Sequence, residues 1–408
     1  MTNLDSGPGR APSSSPADFQ NEIYLGGLTG KTPGPVTAAG LEERARAVLP
    51  PAAYGYVAGG AGAEETMRAN REAFRRWQIV PRMLRDVGSR DLTTEILGTR
   101  MPAPVLLAPI GVQGILHPEG EFAVARAAAS LGVPLVASTA ASRTLEAIAV
   151  VMGAAPRWYQ FYWPRDPELA KSFLARAARA GYGAVVVTVD TGLLGWRPRD
   201  LQQAHLPFLS AEGTANYFAD PVFRASLARP PEADPAAAVR RFLAVFSDPT
   251  VTWDRLSVLR EQTALPILLK GIVHPDDARE AVARGVDGII VSNHGGRQVD
   301  GAVGALDALP GVVAAVNGRA PVLFDSGIRH GADAFKALAL GARAVLLGRP
   351  YVWGLAVGGE AGVRQVLRSF LAELDLTLAL AGYTRPAQIG ADALVRSGAP
   401  AARGRAVE

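Results

Sequence analysis

Cysteine is absent from the sequence, which excludes disulfides and thiolate metal sites. That absence is compatible with a cytoplasmic location, and no metal is expected. Long apolar runs are also missing. None approaches the roughly 20 residues that span a bilayer, so no membrane association is expected. The opening stretch Met1–Pro16 is rich in Ser, Gly and Pro and has neither a basic start nor an apolar core, so it does not read as a secretory signal. Charge of one sign is scarce too. With 42 Lys and Arg against 38 Asp and Glu, the net is +4, and no basic block or interleaved aromatics point to nucleic acid. What is abundant is apolar residues, at 49%, with 44 Gly and 30 Pro in no fixed period. This composition fits a globular protein with many tight connections and not a fibre or a disordered chain.

From about residue 105 the chain alternates short β-branched runs with longer amphipathic stretches. The runs are Val105–Ile110, Pro134–Ser138, Trp158–Tyr162, Ala184–Asp190, Pro266–Lys270, Gly288–Ser292, Val322–Asp325 and Ala344–Gly348. Each is too short for a helix, nearly continuous in hydrophobicity and flanked by Gly or Pro, as a parallel strand buried on both faces should be. Pro118-Glu-Gly-Glu121 and Pro275-Asp-Asp277 open helices between them. Eight such units predict an α/β fold, a (β/α)8 barrel, occupying residues 21–395 as one domain. Residues 38–75 read as a helical extension, 1–20 as a disordered N-terminus and 396–408 as a flexible tail. One spacing is anomalous: from Ala184 to Pro266 the step is 82 residues, leaving an insert at about 201–250 after strand four. It is either a lid or a disordered loop, and the apolar anchors Leu206–Leu209 and Asn216–Phe218 favour a lid.

Chemistry in such barrels lies at the C-terminal strand ends. Those ends carry Gln160 and Tyr162, Thr188 and Asp190, Lys270, Ser292-Asn-His294-Gly-Gly-Arg297, Asp325-Ser-Gly327-Ile-Arg329 and Gly348-Arg349. A core would tolerate few of these, because each buried polar group needs a partner. Glycine turns with arginines after strands seven and eight match the usual phosphate position. Of five histidines, His117 and His274 precede prolines at helix starts, which fits capping, while His205 and His330 are poorly placed. Only His294 directly follows a buried strand, with Arg297 close behind. That pair suits a hydroxyl beside a carboxylate, the arginine holding the acid and the histidine taking the proton.

With these residues in view, the sequence resembles the FMN-dependent 2-hydroxy-acid oxidase family over about residues 40–390. The most specific matches are Ser292-Asn-His-Gly-Gly-Arg-Gln298, Leu269-Lys-Gly271, Thr188-Val-Asp-Thr191 and Asp325–Gly331, with Tyr54–Ala61 and His117–Glu121 besides. The resemblance implies FMN as cofactor. It makes His294 the base and Asp190 the group that stabilises its protonated form. Arg197 and Arg297 hold the carboxylate, helped by Tyr56 and Tyr162. Lys270 lies at the flavin edge, Ser138, Gln160, Thr188 and Ser292 hold the ring system, and Asp325, Gly327, Arg329, Gly348 and Arg349 hold the phosphate end. Ala140 stands where plant glycolate oxidases carry tryptophan, and Gly111 where oxidases usually carry alanine. Gly195-Trp-Arg-Pro-Arg-Asp200 and the insert are most similar to lactate monooxygenases. The resemblance therefore implies oxidation of L-lactate by O2 with decarboxylation to acetate, CO2 and water, Gly111 contributing space at the substrate. An oxidase releasing keto acid and H2O2 (from lactate or an acid such as mandelate), a flavin dehydrogenase, and a non-catalytic FMN-binding barrel are the alternatives. A homotetramer or larger homo-oligomer is expected.

Overall fold

The eight apolar runs form eight parallel strands: β1 (Val105–Leu107), β2 (Leu135–Ala137), β3 (Arg157–Phe161), β4 (Val185–Thr188), β5 (Ile267–Ile272), β6 (Gly288–Val291), β7 (Val322–Phe324) and β8 (Ala344–Leu347). Each pairs with the next, and β8 pairs with β1 to close the barrel. The computed structural model describes residues 15–31 and 33–397. Strand alternation divides the core in two. Leu106, Val136, Trp158, Val186, Leu268, Ile290, Leu323 and Leu346 pack inside the barrel, while their neighbours such as Val105, Leu107, Val185 and Val187 pack against the surrounding helices. No helix among the described residues is long and apolar enough to cross a membrane.

The barrel floor was not foreseen from the sequence. A two-stranded hairpin, Thr94–Ile96 with Thr99–Met101, places Ile96 and Met101 against the inward-facing residues, and Trp158 Nε1 donates to Thr99 Oγ1 at 2.8 Å. Strand Trp77–Ile79 pairs antiparallel with Leu394–Arg396, tying the start of the domain to its end. The region 38–75 is three helices, Ala38–Val48, Pro51–Ala58 and Glu65–Arg75. Of the N-terminus expected to be disordered, residues 1–14 lie outside the described residues. The rest departs from that expectation, because a helix spans Asp18–Gly27 and Asp375 accepts from Ala17 N–H at 3.1 Å. Residues 398–408 of the expected tail also lie outside the described residues.

The insert after β4 is an ordered segment and not a disordered loop. It contains Pro198–Gln202, Pro207–Ser210, Ala215–Phe218, Pro221–Ala225 and Pro235–Val245 as short helices. Asp220 and Asp234 cap the proline-started helices with their side chains, an Asp-Pro signal that was visible in the sequence. Phe208, Tyr217, Phe223, Phe242 and Phe246 form one aromatic knot, with Tyr217 and Phe242 edge to face at 4.8 Å. Asn216 donates to the carbonyls of Ser138 and Thr139 at 3.2 and 3.0 Å, and Arg176 of the barrel helix Pro167–Arg179 bonds Asp220 at 2.9 Å. The cover is thus built into the wall at the end of β2, and deleting it would leave those groups unpaired. Tyr217→Ala should remove about 3–5 kcal/mol of stability, read as a lower denaturation midpoint. An unchanged midpoint would mean that the insert is not part of the cooperative core.

Candidate active site

Strand ends two to four present a polar row fixed by mutual hydrogen bonds. Gln160 Oε1 accepts from Ser138 Oγ at 3.2 Å and from Thr139 N at 3.1 Å, while its Nε2 donates to Thr188 Oγ1 at 3.1 Å. At the ends of β5 and β6, Lys270 Nζ donates to Ser292 Oγ at 2.8 Å and lies 3.0 Å from Asp325 Oδ2. Burial alone would lower the pKa of Lys270, but Asp325 and Asp190 outweigh it and hold the ammonium above its ordinary value.

His294 follows β6 in a left-handed turn, with φ of +57° at His294, +66° at Gly295 and +77° at Gly296. Such a run is cheap only for glycine, so the histidine's own backbone is strained to deliver its ring. Nδ1 lies 2.8 Å from Asp190 Oδ1, and Thr191 Oγ1 contacts both groups at 2.8 and 3.2 Å. An ionised carboxylate at Nδ1 fixes the proton there and leaves Nε2 as the free acceptor. Burial would raise the Asp190 carboxyl, but His294 and Lys270 hold it down at about 2. Shielding from water keeps His294 below its ordinary value, against the pull of Asp190 and with help from Lys270 and Arg197. The imidazole is therefore a neutral base around pH 7.

Two cations stand beside it. Arg197 donates to the carbonyl of Arg297 at 3.1 Å and to Gln298 Oε1 at 2.7 Å, and Arg297 Nη1 donates to the carbonyls of Tyr56 and Gly59. Shielding and the neighbouring Arg197 push Arg297 down to about 10, against the weaker opposing pull of Tyr56 and Asp200. Tyr56 lies with its ring centroid 5.1 Å from the Arg297 guanidinium carbon. Burial and Asp190 raise the Tyr162 hydroxyl well above the usual phenol range, so it remains an O–H donor. After β7 and β8, the Arg329 guanidinium bonds only the carbonyl of Ile328 while its backbone N–H donates to Asp333 Oδ2, and the helix that starts at Arg349 has no side-chain cap at its N-terminus. Arg349 itself is spent on the carbonyls of Val57, Gly59 and Gly295. All four guanidinium groups thus bond neutral acceptors, and among the described residues none pairs with a carboxylate.

These groups line one cavity of about 1080 Å³, walled on its apolar side by Val112, Ala140, Leu194, Phe208 and Phe246. Gly111 also lines it, but its hydrogen points at Ala140. A Cβ there would stand 2.5 Å from the Ala140 carbonyl oxygen, so the glycine is needed for packing and opens no room for substrate. His274 caps its helix by accepting from Asp276 N–H at 3.1 Å, whereas His117 accepts from Glu119 N–H at 3.2 Å in the turn before the helix that Gly120 starts. His205, set aside from the sequence, packs edge-on to Tyr56 at 6.3 Å. Sequence reasoning gave no role to Thr191 or Gln298, although both stand in the quoted motifs. Nor did it single out Glu121. Burial pushes this carboxyl up to about 7 against hydrogen bonds from Ser142 N at 2.9 Å and Gln113 N at 3.3 Å, and Oε2 has no partner. Its only sequence signal was the helix start it follows. Among the described residues, no group of three or more His, Asp or Glu is arranged to hold a metal.

A barrel whose mouth joins a neutral base, a cation pair and a separate phosphate-type anion site is a cofactor-dependent oxidoreductase of hydroxy acids. The chain belongs to the FMN-dependent dehydrogenase family, whose pattern matches residues 45–396. It is 45% identical over 363 residues to an L-lactate oxidase of Lysinibacillus sphaericus, covering 89% of this chain and 93% of that one. A 4-hydroxymandelate oxidase of Amycolatopsis orientalis is also 45% identical, over 351 residues, covering 85% and 94%. The structure of a mandelate oxidase with (S)-4-hydroxymandelic acid superposes with a TM-score of 0.79 at 42% identity, covering 88% of this chain and 98% of that one. The protein is an FMN-dependent 2-hydroxy-acid oxidoreductase.

The residues fit that cofactor: a polar row for a ring system, a buried cation, and the Arg329 guanidinium with an uncapped helix start for a phosphate. If Asp190 sustains the charge on His294, Asp190→Asn should lower the rate of anaerobic flavin reduction. It should also move the acidic limb of that rate to lower pH, because His294 loses the one neighbour that favours its protonation. A limb at the parental position would show that Asp190 is not its counter-ion.

Proposed function

We propose that the protein oxidises small L-2-hydroxy acids with O2 and releases the keto acid and hydrogen peroxide. The carrying observation is the free Nε2 of His294, fixed by Asp190 and set beside a guanidinium pair to which no carboxylate is bonded. In this reading Arg197 and Arg297 grip the substrate carboxylate, and the O–H of Tyr162 orients it. His294 Nε2 then takes the hydroxyl proton, and the imidazolium is stabilised by Asp190. Bound FMN supplies the two-electron acceptor for the hydrogen leaving the α-carbon. Lys270 keeps a positive charge at the flavin's edge, where negative charge develops on reduction. Ser138, Gln160, Thr188 and Ser292 hold the ring system, Asp325 holds the ribityl side of the phosphate end, and Gly327, Arg329 and the backbone at Gly348 and Arg349 hold the phosphate.

The apolar wall of Val112, Ala140, Leu194, Phe208 and Phe246 favours substrates with an apolar side chain, L-lactate among them and larger acids of the mandelate kind as well. A lactate monooxygenase would need to retain its keto acid until decarboxylation. Less supports that reading, because Gly111 is explained by its packing on Ala140 and the relatives named above are oxidases. A non-catalytic FMN barrel would have no use for the positioned base. Exposed Leu193, Leu194 and Trp196, at 72%, 52% and 74%, form an apolar edge beside the cavity that suits association into the homotetramer or larger assembly expected.

Under air, L-lactate or (S)-mandelate should yield keto acid and peroxide in equal amounts. Acetate and CO2 with little free peroxide would reject the oxidase reading in favour of the monooxygenase. His294→Ala should keep FMN bound and slow anaerobic flavin reduction by about 10² to 10⁴-fold. A near-parental rate would remove His294 from the chemistry.

A further inference from the structure

Behind the phosphate-type site lies a second cavity of about 700 Å³, opening at the helix Glu65–Arg75. It shares Gly295, Gly327, Arg329 and Arg349 with the main cavity, so the two meet at the loop after β7. Its outer wall carries Arg68, Arg71 and Arg75, whose spacing of three and four residues puts them on one helical face. Two of these cations are partly matched. Arg71 pairs with Asp333 at 2.7 Å, and Arg75 pairs with Glu72 at 2.7 Å in an exposed contact one turn apart, which neutralises little at a distance. Of the two wall carboxylates, Glu72 is that partner and Glu64 is drawn to Arg199 at 2.7 Å. Arg68 has no side-chain partner among the described residues, and the Arg329 guanidinium bonds only a carbonyl.

We propose that this outer cavity is an anion-binding vestibule that captures a phosphate monoester dianion, the phosphate end of FMN, before the flavin is seated. A positively lined cleft walled by protein focuses field lines and raises the capture rate of an anionic ligand. Arg68 and Arg75 attract at the rim, Arg71 stands between, and Arg329 holds the deepest position, where the loops after β7 and β8 finish the site. The gradient runs inward from cations in water to cations shielded from it. The vestibule therefore governs how fast FMN is acquired, whereas the inner loops govern how tightly it is held. This rests on reading those loops as the phosphate cradle.

The test uses the full-length chain stripped of flavin and shown to refill completely, mixed with FMN or riboflavin while flavin fluorescence quenching is followed. Arg68→Glu with Arg75→Glu should slow FMN association by about tenfold at low salt. The deficit should shrink as ionic strength rises above about 0.1 M, where the screening length falls to about 10 Å. Riboflavin, which lacks the phosphate, should associate as in the parent. Arg68→Gln, which removes one charge without adding its opposite, should give an intermediate rate. Equal slowing of FMN and riboflavin would overturn the vestibule and point to local distortion, as would an unaltered FMN rate in the double variant. If the parent held FMN no tighter than riboflavin at equilibrium, the cradle itself would fail, a result separate from any rate.

Discussion

The structure turns on how positive charge is balanced at the barrel mouth. Five cations, Arg197, Arg297, Arg329, Arg349 and Lys270, line one cavity, where removal from water penalises each of them. Of the carboxylates nearby, Asp325 pairs with Lys270 and Asp190 with His294, while Asp200 faces the Arg197 and Arg297 pair without bonding it and leaves its Oδ1 without a partner. The arginines make do with carbonyls, an amide oxygen and a thioether, which accept hydrogen bonds but do not cancel charge. In the proposed reading the bonded anions come from outside, one as a phosphate at the loops after β7 and β8 and one as a carboxylate at the guanidinium pair.

The same distribution orders the chemistry. Asp190 is kept ionised by His294 and Lys270 even though burial opposes it, and its charge pins the histidine proton to Nδ1. His294 is shielded enough to remain neutral, so its other nitrogen is a base and not a sixth cation in the cavity. Two titrating groups with opposite burdens thus divide the roles of base and counter-ion, much as environments separate paired acids in other active sites. The strained backbone at His294 is held by hydrogen bonds from Asn293 N and Gly295 N to Ser326 Oγ, which link the loops after β6 and β7.

The cover contributes by being fixed. Its aromatic knot and the bonds of Asn216 to the end of β2 make Phe208 and Phe246 permanent walls of the cavity. These walls shield the cations and the base from water and set the shape offered to the substrate side chain. Gly111 serves the same wall, because the close approach of Ala140 depends on it.

The sequence by itself determined the barrel, since eight continuous apolar runs at near-regular spacing have few other ways to bury both faces. It determined the polar residues of the mouth too, because a charged group at the end of a buried strand has no cheap structural explanation. Tertiary structure decided what depends on contacts far apart in the chain. The floor hairpin Thr94–Met101 is two three-residue strands that acquire meaning only beneath Trp158. The insert has no long period, and its rigidity comes from aromatics up to 38 positions apart, Phe208 to Phe246. The apparent spare room at Gly111 vanished once Ala140 was brought against it, because a glycine in a sequence records a missing side chain and not what fills the space. The unpaired state of the arginines was likewise invisible, since a sequence lists charges but only the fold decides which of them meet.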